Sequence, residues 1–111
     1  MENCLFCRIA SGEIPSNKVY EDEKVLAFRD IDPQAPVHVL LIPKQHFSDI
    51  LEADGETIAY MHSVVKLIAK NLGIDESGFR LVVNTGEDGM QSVKHLHMHI
   101  LGGRSMQWPP G

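Results

Sequence analysis

The sequence has no apolar run approaching the roughly 20 residues that a membrane-spanning helix needs, so no helical anchor is expected. Met1-Glu2-Asn3-Cys4 lacks a basic start followed by an apolar core, which argues against a secretory leader and for a cytoplasmic protein. There are only two cysteines, and in that compartment both are expected reduced. Basic residues are outnumbered 10 to 15, giving a formal net charge of -5, which argues against broad binding to a nucleic-acid backbone. A small anionic ligand held by local donors stays open. No linker, repeat or low-complexity segment divides the 111 residues, and the 43% hydrophobic and 23% charged content is globular. One domain spanning residues 1–111 is expected.

What the chain does have is a run of histidines near its C-terminal end, His95-Leu96-His97-Met98-His99-Ile100-Leu101. If residues 93 to 101 form a strand, period 2 places the three imidazoles on one face and the apolar residues on the other. A half-buried strand needs only polar residues outside, and Thr or Lys would fill those positions without three imidazolium charges repelling one another. Two chemical readings remain open from the spacing. Either the three histidines bind a metal, or one imidazole is a nucleophile that the others orient.

Asn3 can N-cap a short helix through Cys4–Ala10, stopped near Gly12 and Pro15. Lys18–Glu21 and Lys24–Arg29 read as a hairpin, and Val37–Ile42, closed by Pro43, as a third strand with His38 on the face of Leu40 and Ile42. The period then changes. Ile58, Met61, Val65, Ile68 and Leu72 make one apolar stripe on a helix from about Asp54 to Leu72, with His62 at its edge in a structural role and Gly73 as the stop. Phe79–Asn84 is the fourth strand and residues 93 to 101 the fifth. The expectation is an α+β domain, a five-stranded antiparallel sheet with one long helix across one face and a short N-terminal helix. The Gly-rich segment between the last two strands, with Gly86 and Gly89 free to take positive φ, can form an anion-receiving concavity rimmed by Asn84 and Ser92.

These residues together resemble the histidine triad (HIT) family of nucleotide-binding proteins, whose motif His-φ-His-φ-His-φ-φ, with φ apolar, is matched at all seven positions by residues 95–101. The resemblance runs from Phe6 to the end, and the tail Trp108-Pro109-Pro110-Gly111 is similar to the Hint-like branch. It implies hydrolysis of the P-N bond of purine nucleoside 5′-phosphoramidates through a nucleotidyl-histidine. Alternatives are a dinucleoside polyphosphate hydrolase and a non-enzymatic nucleotide-binding or scaffolding protein. In the preferred case His97 is the nucleophile, the His95 carbonyl holds its second nitrogen, and His99 lies beside the phosphate and pairs with His38. Ser92 and the Gln91–Val93 backbone donate to phosphate oxygens and to the leaving nitrogen, and Asn84 adds a polar contact. Asp30 takes the ribose hydroxyls of an AMP or GMP moiety, while Phe6, Ile9, Ile14, Phe28 and Ile31 enclose the base.

The resemblance also implies a homodimer in which Trp108 reaches toward the partner's site, and no organic cofactor. Met90 departs from the Hint-like pattern, where Gly is common, and its side chain is expected to narrow the pocket or restrict the loop. Cys4-x-x-Cys7, with His46 and His95, matches a ligand set shown by many bacterial relatives. Two thiolates and two imidazoles make a closed tetrahedral set for a structural zinc.

Overall fold

The computed structural model describes residues 3–111; Met1 and Glu2, where the leader reading begins, lie outside the described residues. Helix α1 covers Leu5–Ala10, strands β1, β2 and β3 cover Lys18–Glu21, Val25–Arg29 and Val37–Pro43, and helix α2 covers Gly55–Asn71. Strands β4, Phe79–Val82, and β5, Met98–Gly102, complete one sheet in the order β1-β2-β3-β5-β4 with every pair antiparallel. The expected α+β architecture is the one observed. Among the described residues, no helix is long and apolar enough to cross a membrane.

Period 2 in the central strands explains the three layers. Val25 and Ala27 of β2, with Val39 and Leu41 of β3, point to one face and pack with Met61, Val64, Val65, Ile68 and Ala69 of α2. Leu26 and Phe28, with Leu40 and Ile42, point to the other and pack with Phe6 and Ile9 of α1. A strand covered on both faces reads as a continuous apolar run, which is how β2 and β3 appear.

Local chemistry sets the ends of α2. The Asp54 side chain accepts the Thr57 amide at the N-terminus. At the other end Gly73 takes φ 72, its amide donates to Lys70 O, and Ile74 N donates to Ala69 O. This pair of bonds is a Schellman stop, and its apolar residue Ile74 is buried at 3% exposure. His62, expected at the edge of the stripe, is exposed.

Three of the boundaries that differ from the sequence expectation bear on the site. Cys4, not Asn3, caps α1: it is extended, and its sulfur accepts the Cys7 amide at 3.3 Å. β4 ends at Val82, releasing Val83 and Asn84 into the following loop. β5 begins only at Met98, because the chain bends at Val93–His95 and the Leu96 amide leaves the ladder to donate to Phe47 O at 2.7 Å.

Ile68, 2% exposed at the centre of the α2 face, tests this packing. Ile68→Ala is expected to destabilise the chain by about 2–5 kcal/mol through lost transfer energy and the residual cavity. Urea unfolding measures this; a loss well under 1 kcal/mol would mean that α2 does not carry the core as described.

Candidate active site and metal centre

Although β5 starts late, the alternation of the histidine row survives. Leu96, Met98 and Ile100 enter the α2 side of the core. His95 and His97 turn to the α1 side, where the Phe6 ring stands edge-on to each at centroid distances of 6.0 and 5.0 Å. His99 sits opposite Leu40 in the β3–β5 ladder, so it shares that face and lies diagonal to His38. The three rings nonetheless do different things.

His95 is fully buried. Its Nε2–H donates to Pro43 O at 2.8 Å, which leaves the Nδ1 lone pair facing Cys4 Sγ at 3.3 Å, Cys7 Sγ at 3.5 Å and His46 Nδ1 at 3.2 Å. Cys7 Sγ is in turn 3.3 Å from His46 Nδ1, and all four ligand atoms lie within 4.8 Å of one another. A tetrahedron with Zn–S of ~2.3 Å and Zn–N of ~2.0 Å has edges of about 3.3–3.8 Å, so the donors stand close to where such an ion needs them. The chemistry fits as well. Burial and the neighbouring Cys4 sulfur push the Cys7 thiol up, a pairing of soft donors that a cation reverses by stabilising both thiolates. The Pro43 carbonyl fixes the tautomer of His95 that would leave Nδ1 able to ligate an ion.

His97 is not part of that cluster. Its Nδ1–H donates to the His95 carbonyl at 2.7 Å, leaving Nε2 with a free lone pair. His99 and His38 form a directed chain. Gln34 N–H donates to His38 Nδ1 at 3.0 Å, so the proton of neutral His38 is on Nε2 and is given to His99 Nδ1, also at 3.0 Å. The remaining proton of His99 is then on Nε2. Burial, reinforced by the His97 and His38 rings, lowers His99 to about 4, and burial likewise lowers His38, so both are neutral near pH 7.

Asp30 Oδ2 stands 3.4 Å from His38 Nε2, and its Oδ1 accepts the Asp32 amide at 2.9 Å. Asp30, His38 and His99 also bring three ligand atoms within 4.8 Å, but the Gln34 amide already occupies one His38 nitrogen and the other carries the proton. The group is a hydrogen-bonded chain, not a ligand set. A metal shared by His95, His97 and His99 fails for the same kind of reason: His95 Nδ1 belongs to the cysteines and His97 Nδ1 to a carbonyl.

The loop before the row is a closed turn. Gly86 takes φ 71 and Met90, though not glycine, φ 58. A Cβ at Gly89 would lie 2.5 Å from Thr85 O, so only glycine fits there. Met90 points outward at 82% exposure, which corrects the expectation that its side chain narrows a pocket; the consequence of a side chain here is left-handed strain of about 1–2 kcal/mol. Gln91 is a second correction. Its amide donates to Gly86 O and its buried carboxamide bonds Gly86 N, Ser48 O and Val93 O, so none of these groups is offered to a phosphate. Ser92 is exposed, and Val93 packs on the Phe6 and Phe28 cluster.

Of the expected base-enclosing residues, Phe6, Ile9 and Phe28 are buried in that cluster and Ile14 packs against it. Ile31 is wholly exposed, Trp108 is 82% exposed, and Asn84 is half-buried just beyond β4. A cavity of about 800 Å³ lies away from the histidines, between β4 and residues 103–106, and another of about 500 Å³ joins Cys4 and His46 to Ser92 and Val93. Protons and lone pairs are directed at the histidines, whereas the lining of the larger cavity contains no histidine. Sequence reasoning missed the main-chain groups, Gln34 N, Pro43 O and Phe47 O, which have no side-chain signature.

Because folded His99 falls to about 4 from an ordinary 6.5, the unfolded chain binds more protons in that interval. Stability is therefore present above the ordinary value and lost as pH falls toward the folded one. Urea unfolding between pH 7 and about 4.5 is expected to show a shallower pH dependence for His99→Gln than for the wild type; equal slopes would remove His99 as a source.

A sequence profile of the HIT domain matches residues 11–106. The chain is 53% identical over 112 residues to a 14 kDa zinc-binding protein of Brassica juncea, covering 96% of this chain and 98% of that protein. It is 51% identical to adenylylsulfatase HINT1 of Arabidopsis thaliana, covering 96% and 76% of the two chains. A crystal structure of a HIT family hydrolase from Legionella pneumophila superposes with a TM-score of 0.95 at 51% identity, covering 98% of this chain and 100% of that one. Matched along nearly its whole length and carrying the complete histidine row, this chain belongs to the HIT domain family.

Proposed function

We propose that this chain hydrolyses purine nucleoside 5′-phosphoramidates through a nucleotidyl-His97 intermediate. The observation that carries the reading is the pinned tautomer of His97, whose Nδ1–H is held by His95 O while Nε2 is free beside neutral His99. Nε2 attacks the α-phosphorus, the P-N bond breaks, and the leaving nitrogen departs with a proton; Ser92 Oγ–H and His99 Nε2–H are the available donors. Water then attacks the phosphorus of the nucleotidyl-histidine, the bond to Nε2 breaks, the monophosphate is released, and the proton that the water loses restores the donor spent on the leaving nitrogen. As positive charge develops on the His97 ring, the Nδ1–H bond to His95 O strengthens, which is stabilisation confined to the reacting state.

The adenylylsulfatase name of the Arabidopsis relative supports an adenylyl group with a variable leaving group. A structural neighbour from Candida albicans, with a TM-score of 0.85 and 35% identity, is a histidine triad nucleotide-binding protein, in keeping with a nucleotide ligand. Asp30, partly exposed beside the chain of histidines, is the candidate for the ribose hydroxyls, with Ile31 and Asn84 completing the nucleotide surface.

We also infer a structural zinc at Cys4, Cys7, His46 and His95; all four positions are protein ligands, so the ion ties α1 to the histidine row. A homodimer is the third part of the reading. The β4 edge is unpaired in the sheet order and exposes Phe79 and Leu81, and Trp108 is exposed close behind it in the tail that Arg80 anchors through Gln107 O.

His97→Ala is expected to abolish turnover of adenosine phosphoramidate while AMP binding stays within about tenfold, because the nucleophile acts mainly in the transition state. Mass mapping of quenched reactions should place the nucleotidyl group on His97; a label elsewhere sinks the mechanism. Faster cleavage of diadenosine triphosphate than of the phosphoramidate would overturn the substrate assignment. For the metal, protein purified without added zinc should hold one ion per chain, and Cys7→Ser should lose it together with thermal stability. A stable, metal-free native sample would refute the zinc.

A further inference from the structure

The carboxamide of Gln91 is at a junction that the proposed chemistry does not use directly. The residue is buried at 9% exposure, and the hydrogen bonds of its carboxamide all go to main chain. Oε1 accepts from Gly86 N at 3.1 Å, and Nε2 donates to Ser48 O at 2.6 Å and to Val93 O at 3.0 Å. Gly86 begins the turn of the loop and Val93 lies beyond its end, so one amide group ties the two sides of the turn together and brackets Ser92.

The third bond ties that loop to a short splint. Residues 46–48 contribute His46 Nδ1 to the metal cluster, Phe47 O to the Leu96 amide between His95 and His97, and Ser48 O to Gln91. Within three residues the chain therefore touches the metal ligands, the backbone of the nucleophile and the phosphate loop. Elsewhere the loop is held by few bonds: the Met90 amide to Glu87 O and the Gln91 amide to Gly86 O. Met90 at φ 58 further makes the turn a strained one that something must hold shut.

We propose that Gln91 is a positioning residue for the leaving-group side of the reaction: its carboxamide sets Ser92 relative to His97 by clamping the loop to the 46–48 splint. The inference rests on the phosphoramidase reading above. Gln91 does not touch substrate. It acts through Ser92, whose hydroxyl is one of the two donors available to the departing nitrogen.

That route gives a signature which plain loss of stability does not share. Donation to the leaving nitrogen matters most when the amine is a poor leaving group and least when it departs readily. Gln91→Glu keeps the shape and the acceptor for Gly86 N but turns a carboxylate toward the Ser48 and Val93 carbonyls, so both donated bonds are lost. The experiment measures kcat and KM across a series of adenosine 5′-phosphoramidates whose amines span strongly basic alkyl to weakly basic aryl. Gln91→Glu is expected to lower kcat about tenfold or more for the alkylamines and less than threefold for the arylamines, with AMP binding within about threefold. In a Ser92→Ala background the same substitution should add less than about twofold, since the group it positions is gone.

Equal losses across the amine series, or full additivity with Ser92→Ala, would overturn the positioning role. Gln91→Asn, polar but too short to span both loop ends, repeats the test if Gln91→Glu does not fold, and failure of both to fold would assign Gln91 to stability alone. Wild-type protein that releases no monophosphate from any member of the series overturns the hydrolase reading and this inference together. A wild type that turns over, with an unchanged leaving-group dependence in the variant, rejects only the inference.

Discussion

His95 is held at three points, and most of the site follows from that. One ring nitrogen donates to Pro43 O, the other faces two cysteines and His46, and the main-chain carbonyl accepts the proton of His97 Nδ1. A buried imidazole whose polar groups are all satisfied has little freedom to turn, and burial lowers its pKa so that it stays neutral. The carbonyl that orients His97 thus belongs to a residue anchored from α1, from the end of β3 and from the segment after it. The orientation of His97 and the cluster at Cys4 and Cys7 meet in a single residue.

The same economy governs His38 and His99. Neither needs a charge to act, since the Gln34 amide sets the direction of the whole chain by occupying His38 Nδ1. The result is a proton on His99 Nε2 beside the His97 ring, whose centroid is 5.1 Å away. A cluster of protonated imidazoles in this partly buried space would repel, and burial lowers both His38 and His99. Neutral rings with fixed tautomers avoid that repulsion and still offer one lone pair and one proton to a substrate.

The fold supplies this site by covering the central strands twice. α2 takes one set of alternating side chains and carries the core, while α1, only six residues long, covers the other set and brings Cys4, Phe6 and Cys7 over the histidines. A helix that short has marginal stability alone. Its apolar contacts with Leu26, Phe28, Leu40 and Ile42 hold it in place. Gly102 shows how tight the sheet is at its far end, where a Cβ would lie 2.9 Å from Ile74 Cδ1.

By itself the sequence determined the features set by local period and turn chemistry. The strands of the hairpin, the apolar run of β3, the stripe of α2 with its Gly73 stop, and the segregation of histidines from Leu96, Met98 and Ile100 all depend on neighbours within a few residues. The histidine row was recognisable because period 2 survives even where the ladder is broken. What only the tertiary structure decided is the division of labour within the row. The bend at Val93–His95 turns His95 toward cysteines more than 80 positions away in sequence, and nothing in local spacing encodes that direction. Gln91 looked like a donor to phosphate, yet its carboxamide donates to Ser48 O, and Met90 looked like an intrusion and points to solvent. Each of these turns on main-chain groups from distant segments, which every residue carries and which no pattern of side chains marks.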